Sequence, residues 1–364
     1  MAYLLLYIDD IILTAITPAL LQSIIASLHH EFSMTDMGSI HHFLGINVHH
    51  TSTGLHLSQE QYALDILDRA GMLNCKLVST PVDTTSKHSA TDGPAFHDPS
   101  LYRSLAGALE YLTLTPPDLS YVVEQCCFFM HDPRDDRYQM VKRILRYVRG
   151  TTHLGLHIFS STSTDLIAYS DADWAGCPNT RKSTSGFAMY LGSNLVSWSL
   201  KCRTTVSRSS TEAEYKGITN AVGEASWLRQ LLAELRRSSS RATVVYCDNI
   251  SVMYMSSNPV QHQRMKHIQI DLHLMQERVS LGELCVLHVP TTSRFVDIFT
   301  KGLPTSMFVD FRSILDISEH HASVVGGFWK RDMHSHPCVQ RGRPSPTVPT
   351  LPRMSPLPTK PHTA

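Results

Sequence analysis

The sequence predicts an α+β part followed by an α/β part within one chain of 364 residues. Near the start, apolar strand-like runs and turns alternate with helical patterns, and a purely helical block comes next. From residue 160 onward, β-prone and helical stretches alternate, which is the pattern of an α/β sheet. Hydrophobic residues make up 42% of the chain, enough to fill the cores of two domains of ordinary size.

The first predicted element is a β-hairpin with two acids at its tip. Two apolar, β-prone runs flank Asp9 and Asp10 almost symmetrically in "YLLLYIDDIILTA". Adjacent like charges are costly unless water or a metal ion screens them. Two interpretations therefore remain at this point, an ordinary acidic turn and part of a metal site.

The next elements complete the α+β part. A helix is predicted after Pro18, two strands joined by the turn "TSTG" come next, and a further helix is predicted to open at Ser58. Residues 76–100 are polar and contain Pro81 and Pro94, so they are predicted to form a linker. A helical block then follows.

The last helix of this block is amphipathic and basic. The sequence "RYQMVKRILRYVRGT" has an apolar stripe, and four cations lie off it: Lys142, Arg143, Arg146 and Arg149. Such a charged face is typical of a solvated helix. It would also suit a surface that binds the phosphates of a nucleic acid.

The α/β part carries acids at special positions. A strand ends near Asp171, a hairpin with the turn "GSN" follows, and a long helix begins with a predicted capping box, Thr211 to Glu214. A further strand ends at Asp248, and a late short helix contains Asp297. Beyond residue 317 the periodicity is lost and prolines accumulate, so residues 317–364 are predicted to be a disordered tail.

These four acids suggest a metal site. Strand ends and helix N-termini converge on one edge of an open α/β sheet, where four carboxylates would repel one another unless divalent cations neutralised them. Mg²⁺ prefers oxygen ligands, and two such ions about 4 Å apart can stabilise both reacting oxygens of a phosphodiester. The alternative is local: strand-end aspartates cap turns, and Glu214 only completes its capping box.

Long stretches of the sequence resemble one family. "SDADWAG", "SSTEAEY", "YCDN" and "FVDIFTKGLP" resemble the ribonuclease H region of copia-type LTR retrotransposon Pol polyproteins. "YLLLYIDDI", "LSQEQYALDIL", "YRSLAGALEYLT" and "KRILRYVRGT" resemble the reverse transcriptase region of the same polyproteins, in the same order. The resemblance covers about residues 3 to 313.

The resemblance implies a domain plan. A partial reverse-transcriptase palm is expected at residues 1–80, and a linker with a helical thumb or connection region at 81–156. An α/β ribonuclease H-like domain with a five-stranded mixed sheet and flanking helices is expected at 157–313.

The resemblance also implies residue roles. The four metal-binding acids of the ribonuclease H site match Asp171, Glu214, Asp248 and Asp297, with Mg²⁺ or Mn²⁺ as the cofactor. Asp173 and Glu212 would be neighbours rather than ligands. The stretch "MKHIQIDLH", from Lys266 to His273, also matches a family motif, but no role follows for it.

The hairpin acids match the polymerase centre of the family, where Asp9 and Asp10 would be its remnant. A polymerase needs a further aspartate from an upstream strand, which this sequence lacks, so we expect a truncated copy without polymerase activity. The expected activity is Mg²⁺-dependent cleavage of RNA in RNA–DNA hybrids. The alternatives are a non-catalytic nucleic-acid-binding remnant and a chain that is a polymerase only by family.

Charge and hydropathy limit the partners. Lys plus Arg and Asp plus Glu both number 32, so contact with an RNA–DNA hybrid or another nucleic acid must use local positive patches. No run of about 18 apolar residues predicts a membrane span, and the apolar start is interrupted by aspartates, unlike a signal peptide. We expect an intracellular protein, cytoplasmic or nuclear; the sequence identifies no protein partner.

Overall fold

The computed structural model describes residues 1–82, 93–177, 180–257, 269–289 and 294–319. Its strands are β1 Ala2–Tyr7, β2 Asp10–Ala15, β3 His42–Phe43, β4 Ile46–His50, β5 Gly54–Ser58, β6 Leu154–Phe159, β7 Leu166–Asp173, β8 Thr184–Leu191, β9 Asn194–Cys202, β10 Thr243–Cys247, β11 Leu284–His288 and β12 Ile317–Glu319.

The α-helices within these residues are α1 Pro18–Glu31, α2 Glu60–Arg69, α3 Pro99–Leu112, α4 Ser120–Cys127, α5 Asp135–Thr151, α6 Ser210–Glu234, α7 Ile250–Ser257, α8 Gln269–Ser280 and α9 Thr305–Ile314. Two short 3₁₀ helices lie at Pro117–Leu119 and Phe295–Phe299. Among the helices of the described ranges, none is both long enough and apolar enough to cross a lipid bilayer.

The predicted acidic hairpin is confirmed. Strands β1 and β2 pair antiparallel with Tyr7 opposite Asp10, and the two-residue turn between them is Ile8 and Asp9. Both aspartates are exposed. Much of the apolar surface of the hairpin is exposed as well, including Leu6, which is 62% accessible.

A second sheet joins distant parts of the chain. Its order is β12-β6-β5-β4-β3, and every neighbouring pair is antiparallel. The domain boundary expected between residues 156 and 157 falls inside β6, and β12 occupies the first three residues of the expected tail. The remainder of that tail, 320–364, lies outside the described residues.

The helical block packs around a hydrophobic core. Tyr102, Leu105, Leu109, Ile144 and Leu145 are completely buried where α3 and α5 meet. The same core continues onto one face of the third sheet. The helical block and the α/β part therefore share a continuous hydrophobic interior.

The third sheet is the expected five-stranded mixed sheet. Its order is β11-β10-β7-β8-β9; β10 runs parallel to both β7 and β11, whereas β7, β8 and β9 are antiparallel. Helix α6 covers one face, and the 3₁₀ helix Phe295–Phe299 packs on the other. Because β7 and β10 are parallel neighbours, their carboxyl ends meet at one edge of the sheet.

Candidate active site

Strand β7 supplies the first acid of the site. Seven of its eight residues are buried, because helix α6 covers one face and the 3₁₀ helix the other. Asp171 lies opposite Gly186 of β8 and is only 4% exposed. A carboxylate this deeply buried needs cationic or hydrogen-bonding partners.

The start of α6 corrects one sequence prediction. The capping residue is Ser209, whose hydroxyl accepts a hydrogen bond from the Glu212 backbone N–H at 3.1 Å, and Glu212 Oε2 accepts from the Arg208 N–H at 2.8 Å. The predicted box of Thr211 and Glu214 was wrong by two residues, because the helix begins earlier than the apolar stripe suggests. Glu214 therefore has no capping role.

Glu214 instead points toward the sheet edge. Its Oε1 accepts a hydrogen bond from the Ala172 N–H at 3.2 Å, while its Oε2 is buried and has no hydrogen-bond partner among the described residues. Burial, followed by the nearby Asp171 and Asp248 carboxylates, raises the pKa of Glu214 to about 9. A buried carboxylate oxygen left without a donor is the place where a cation would be stabilising.

Three acids converge at this edge. Asp171, Glu214 and Asp248 each offer one oxygen, and these oxygens lie within 4.8 Å of one another. Asp248 directly follows β10, and its Oδ2 lies 3.4 Å from the Arg294 guanidinium. Within the described ranges, no other set of three His, Cys, Asp or Glu side chains converges in this way. An all-carboxylate set suits Mg²⁺ or Mn²⁺ by ligand chemistry.

The fourth predicted acid reaches the site through a lysine. Asp297 lies on the 3₁₀ helix, and the Lys301 ammonium is 3.1 Å from Asp297 Oδ1 and 3.1 Å from Asp171 Oδ2. Burial, followed by the Asp171 carboxylate, raises the pKa of Asp297, and Lys301 partly offsets this effect. Thr300 also donates its hydroxyl to Asp171.

Sequence reasoning did not assign roles to Lys301 and Thr300. The only signal for Lys301 was its spacing of four residues from Asp297, and such pairs are common on exposed helices without any functional role. Contact with Asp171 depends on how the 3₁₀ helix packs against the sheet, which local sequence does not reveal.

The hairpin acids lie apart from this group. Asp9 and Asp10 belong to no converging set of three ligand side chains within the described residues. Both are exposed at the tip of a two-stranded ribbon. Their role as a polymerase remnant stays a prediction.

Part of the basic face of α5 contacts the protein itself. Arg149 Nε donates to the Leu73 carbonyl at 2.6 Å, and Arg143 donates to the Thr80 hydroxyl at 3.3 Å. The contacts hold these two guanidinium groups against Leu73, just before the predicted linker, and against Thr80, near its start. Both side chains contribute to packing whether or not the face also binds phosphates.

The other two cations of α5 differ from each other. Lys142 lies over the Tyr138 ring, with its ammonium 4.8 Å from the ring centre, and Arg146 is exposed to solvent. Nucleic-acid binding by this face stays a prediction, and Arg146 is its most accessible member. In the "MKHIQIDLH" motif, Lys266 and His267 lie outside the described residues, while α8 carries Asp271 and His273.

Comparisons with known proteins identify the family. Residues 3–84 match the family described as reverse transcriptase (RNA-dependent DNA polymerase). The chain is 43% identical over 316 residues to the retrovirus-related Pol polyprotein from transposon RE1 of Arabidopsis thaliana, covering 87% of this chain and 22% of that one. It is 48% identical to an uncharacterised mitochondrial protein of the same plant, covering 62% of this chain and 93% of that protein.

A likeness also extends to solved structures. The chain is similar to a ribonuclease H1 isolated from compost, with 16% identity and a TM-score of 0.30, over 38% of this chain and 93% of that one. The chain spans 21% to 24% of the length of the transposon polyproteins that it matches in Arabidopsis thaliana and Nicotiana tabacum. The sequence identity to these relatives leads to one conclusion: this chain belongs to the copia-type retrotransposon Pol polyproteins, and its residues 3–84 match their reverse transcriptase.

Proposed function

We propose that the α/β part of this chain cuts the RNA strand of RNA–DNA hybrids with the help of Mg²⁺ or Mn²⁺. One observation carries the proposal: Asp171, Glu214 and Asp248 bring oxygens within 4.8 Å of one another, and the buried Glu214 Oε2 has no hydrogen-bond donor among the described residues. Such a set favours a hard divalent cation. When bound there, the ion would activate water and stabilise the charge that develops on a phosphodiester.

The residues around the acids prepare this site. The Ala172 N–H orients Glu214, and the Thr300 hydroxyl and Lys301 ammonium orient Asp171, so two ligands are held before any substrate arrives. Carboxylates positioned in this way avoid the cost of ordering them during the reaction. Arg294, beside Asp248 at the rim, offers a guanidinium to an approaching phosphate.

The choice of substrate rests on the family. An enzyme of this kind would recognise a hybrid by its backbone shape and its 2′-hydroxyl groups rather than by base edges. Arg146, the exposed cation of α5, is a candidate for an additional phosphate contact. We also propose that the protein acts inside the cell, in the cytoplasm or the nucleus.

Polymerase chemistry has less support in the described residues. Asp9 and Asp10 lie on an exposed hairpin and do not join a third ligand side chain within those ranges. Two adjacent exposed carboxylates do not position a pair of ions for phosphoryl transfer. We therefore assign the proposed cleavage of RNA to the three acids at the edge of the mixed sheet.

The test is cleavage of a labelled RNA–DNA hybrid by the full chain in Mg²⁺. We expect nicking of the RNA strand, no cleavage of duplex DNA, and loss of nicking in Asp248→Asn, which keeps the shape of the side chain but removes its charge. If the wild type binds the hybrid and does not cut it, the non-catalytic alternative holds instead. Equal nicking by wild type and variant would also contradict the proposal.

A further inference from the structure

Lys301 divides the acid cluster into two unlike halves. On one side its ammonium lies between Asp171 and Asp297, at 3.1 Å from an oxygen of each. On the other side, no lysine among the described residues contacts Glu214 or Asp248, and Arg294 Nη1 lies 3.4 Å from Asp248 Oδ2. One half of the cluster thus holds a cation between two of its carboxylates, whereas the cation beside the other half is paired with Asp248 only, within the described residues.

The geometry of Lys301 resembles that of a bridging cation. Its ammonium contacts both oxygens of Asp171, at 3.1 and 3.4 Å, as well as Asp297. The ammonium of a lysine is a compact charge on a flexible side chain, so it can bridge the Asp171 and Asp297 carboxylates and can also leave them.

A simpler explanation is an ordinary pair within one helical turn. The chain contains a close parallel for comparison, since Lys216 pairs with Glu212 at 2.7 Å with the same spacing of four residues. That pair stays at the start of α6, where Glu212 also caps the helix. Lys301 differs because it reaches across to a second element and contacts Asp171 of the sheet.

We propose that Lys301 is a resident cation in the second divalent-ion position of this centre. One ion then binds beside Glu214 and Asp248, and a second ion has to displace the lysine from between Asp171 and Asp297. The inference rests on the proposed function, since it assumes that the acid cluster binds divalent ions. Lys301 acts as a positioning residue that holds Asp171 and Asp297 in place until a second divalent ion displaces it.

The test measures metal binding by the full chain without nucleic acid. Mn²⁺ is titrated into wild type, Lys301→Met, Lys301→Arg and the matched control Lys216→Met, and heat of binding and Mn²⁺ electron paramagnetic resonance are recorded. We expect one tightly bound ion in the wild type, in Lys301→Arg and in Lys216→Met. In Lys301→Met a second ion should bind at least about tenfold more tightly than in the wild type, because a competing charge has been removed. The two ions should give the spectrum of a coupled pair.

Each outcome decides the question. An identical number of ions and identical affinity in wild type and Lys301→Met would overturn the inference, as would the same change in Lys216→Met. If Lys301→Met unfolds in metal-free buffer but folds in Mn²⁺, the inference is supported, because an ion has replaced the ammonium. A Lys301→Met chain that stays unfolded in both buffers overturns it.

Nicking of the hybrid is scored separately. A wild type that binds Mn²⁺ but does not cut a hybrid contradicts the proposed function and leaves the lysine result standing. If the wild type cuts the hybrid and metal binding is unchanged in Lys301→Met, the proposed function stands and the inference about Lys301 is overturned.

Discussion

Two groups of acids in this protein have similar chemistry and very different surroundings. Asp9 and Asp10 are adjacent in sequence and exposed, and they lie at the tip of a two-stranded hairpin whose surface is largely accessible to solvent. The acids of the mixed sheet come from separate elements and are gathered by packing at the edge where β7 and β10 end. The contrast shows that burial and convergence, rather than proximity along the chain, create a place where a cation is needed.

The largest expected effect comes from neutralising one acid in each group, which tests whether only the buried group supports cleavage. We expect Asp171→Asn to lower the rate of hybrid nicking by about a thousandfold or more, because it removes a central ligand of a pre-arranged site. Asp10→Asn should change that rate by less than about twofold, since its carboxylate is exposed and outside the cluster. The measurement is single-turnover cleavage of a labelled hybrid, and comparable losses in the two variants would show that the groups act together.

A smaller effect is expected from the packing that supports the buried acids. A Cβ at Gly186 would lie 2.8 Å from Cβ of Phe299, so Gly186→Ala should push the 3₁₀ helix that carries Asp297 away from the sheet. We expect a loss of about 1–3 kcal/mol in the free energy of unfolding and a drop of about tenfold in nicking. Urea unfolding and the cleavage assay measure the two quantities.

The control is a glycine on α6 that has open space around it. Nothing lies within 4 Å of a Cβ at Gly223, so Gly223→Ala should raise the free energy of unfolding by about 0.5–1 kcal/mol through helix propensity. Nicking by this variant should stay at the wild-type rate. If Gly186→Ala proves as harmless as Gly223→Ala, the 3₁₀ helix does not depend on this close approach.

A further expected effect concerns pH. The pKa of Glu214 is raised from 4.5 to about 9, so without metal the folded chain keeps a proton that the unfolded chain has lost. The stability contributed by this group is present at low pH and is lost as pH rises from about 4.5 to 9. A divalent ion requires the carboxylate form, so stabilisation by Mg²⁺ should grow as pH rises from about 6 to 9.

Thermal unfolding with and without Mg²⁺ across this pH range checks the expectation. Glu214→Gln should flatten the pH dependence in metal-free buffer and reduce the upward shift in Tm on adding Mg²⁺. Glu234→Gln, on the exposed end of the same helix, should behave as wild type. A Glu214→Gln chain with the full Mg²⁺ response would place the ion elsewhere.

The sequence was a good guide where one element carries the signal. The acidic hairpin and the five-stranded mixed sheet follow from alternation, turns and family resemblance, and three of the four predicted acids converge in the structure. The two-residue error at the start of α6 arose because Ser209 and Glu212 offer the same capping pattern as Thr211 and Glu214. Only the direction of each side chain in three dimensions distinguishes them.

Contacts between distant elements were harder to predict. Lys301 contacts Asp171, which lies 130 residues away in the sequence, and the hydrophobic periodicity of the sequence does not predict such a contact. The boundary between residues 156 and 157 stays a prediction, and β6, which spans it, pairs with β5 on one side and β12 on the other. Sheet pairing between remote strands depends on the whole fold, so local patterns do not reveal it.

The pairing of β6 with β12 has an architectural consequence. The chain enters the α/β part directly after Phe159 and leaves it just before Ile317, and the two strands concerned are antiparallel neighbours. That part is therefore organised as an insertion between adjacent strands of another sheet, with its entry and exit side by side. Joining Phe159 to Ile317 by a short turn would keep these two strands as neighbours, but it would expose the hydrophobic interior that the helical block shares with the α/β part.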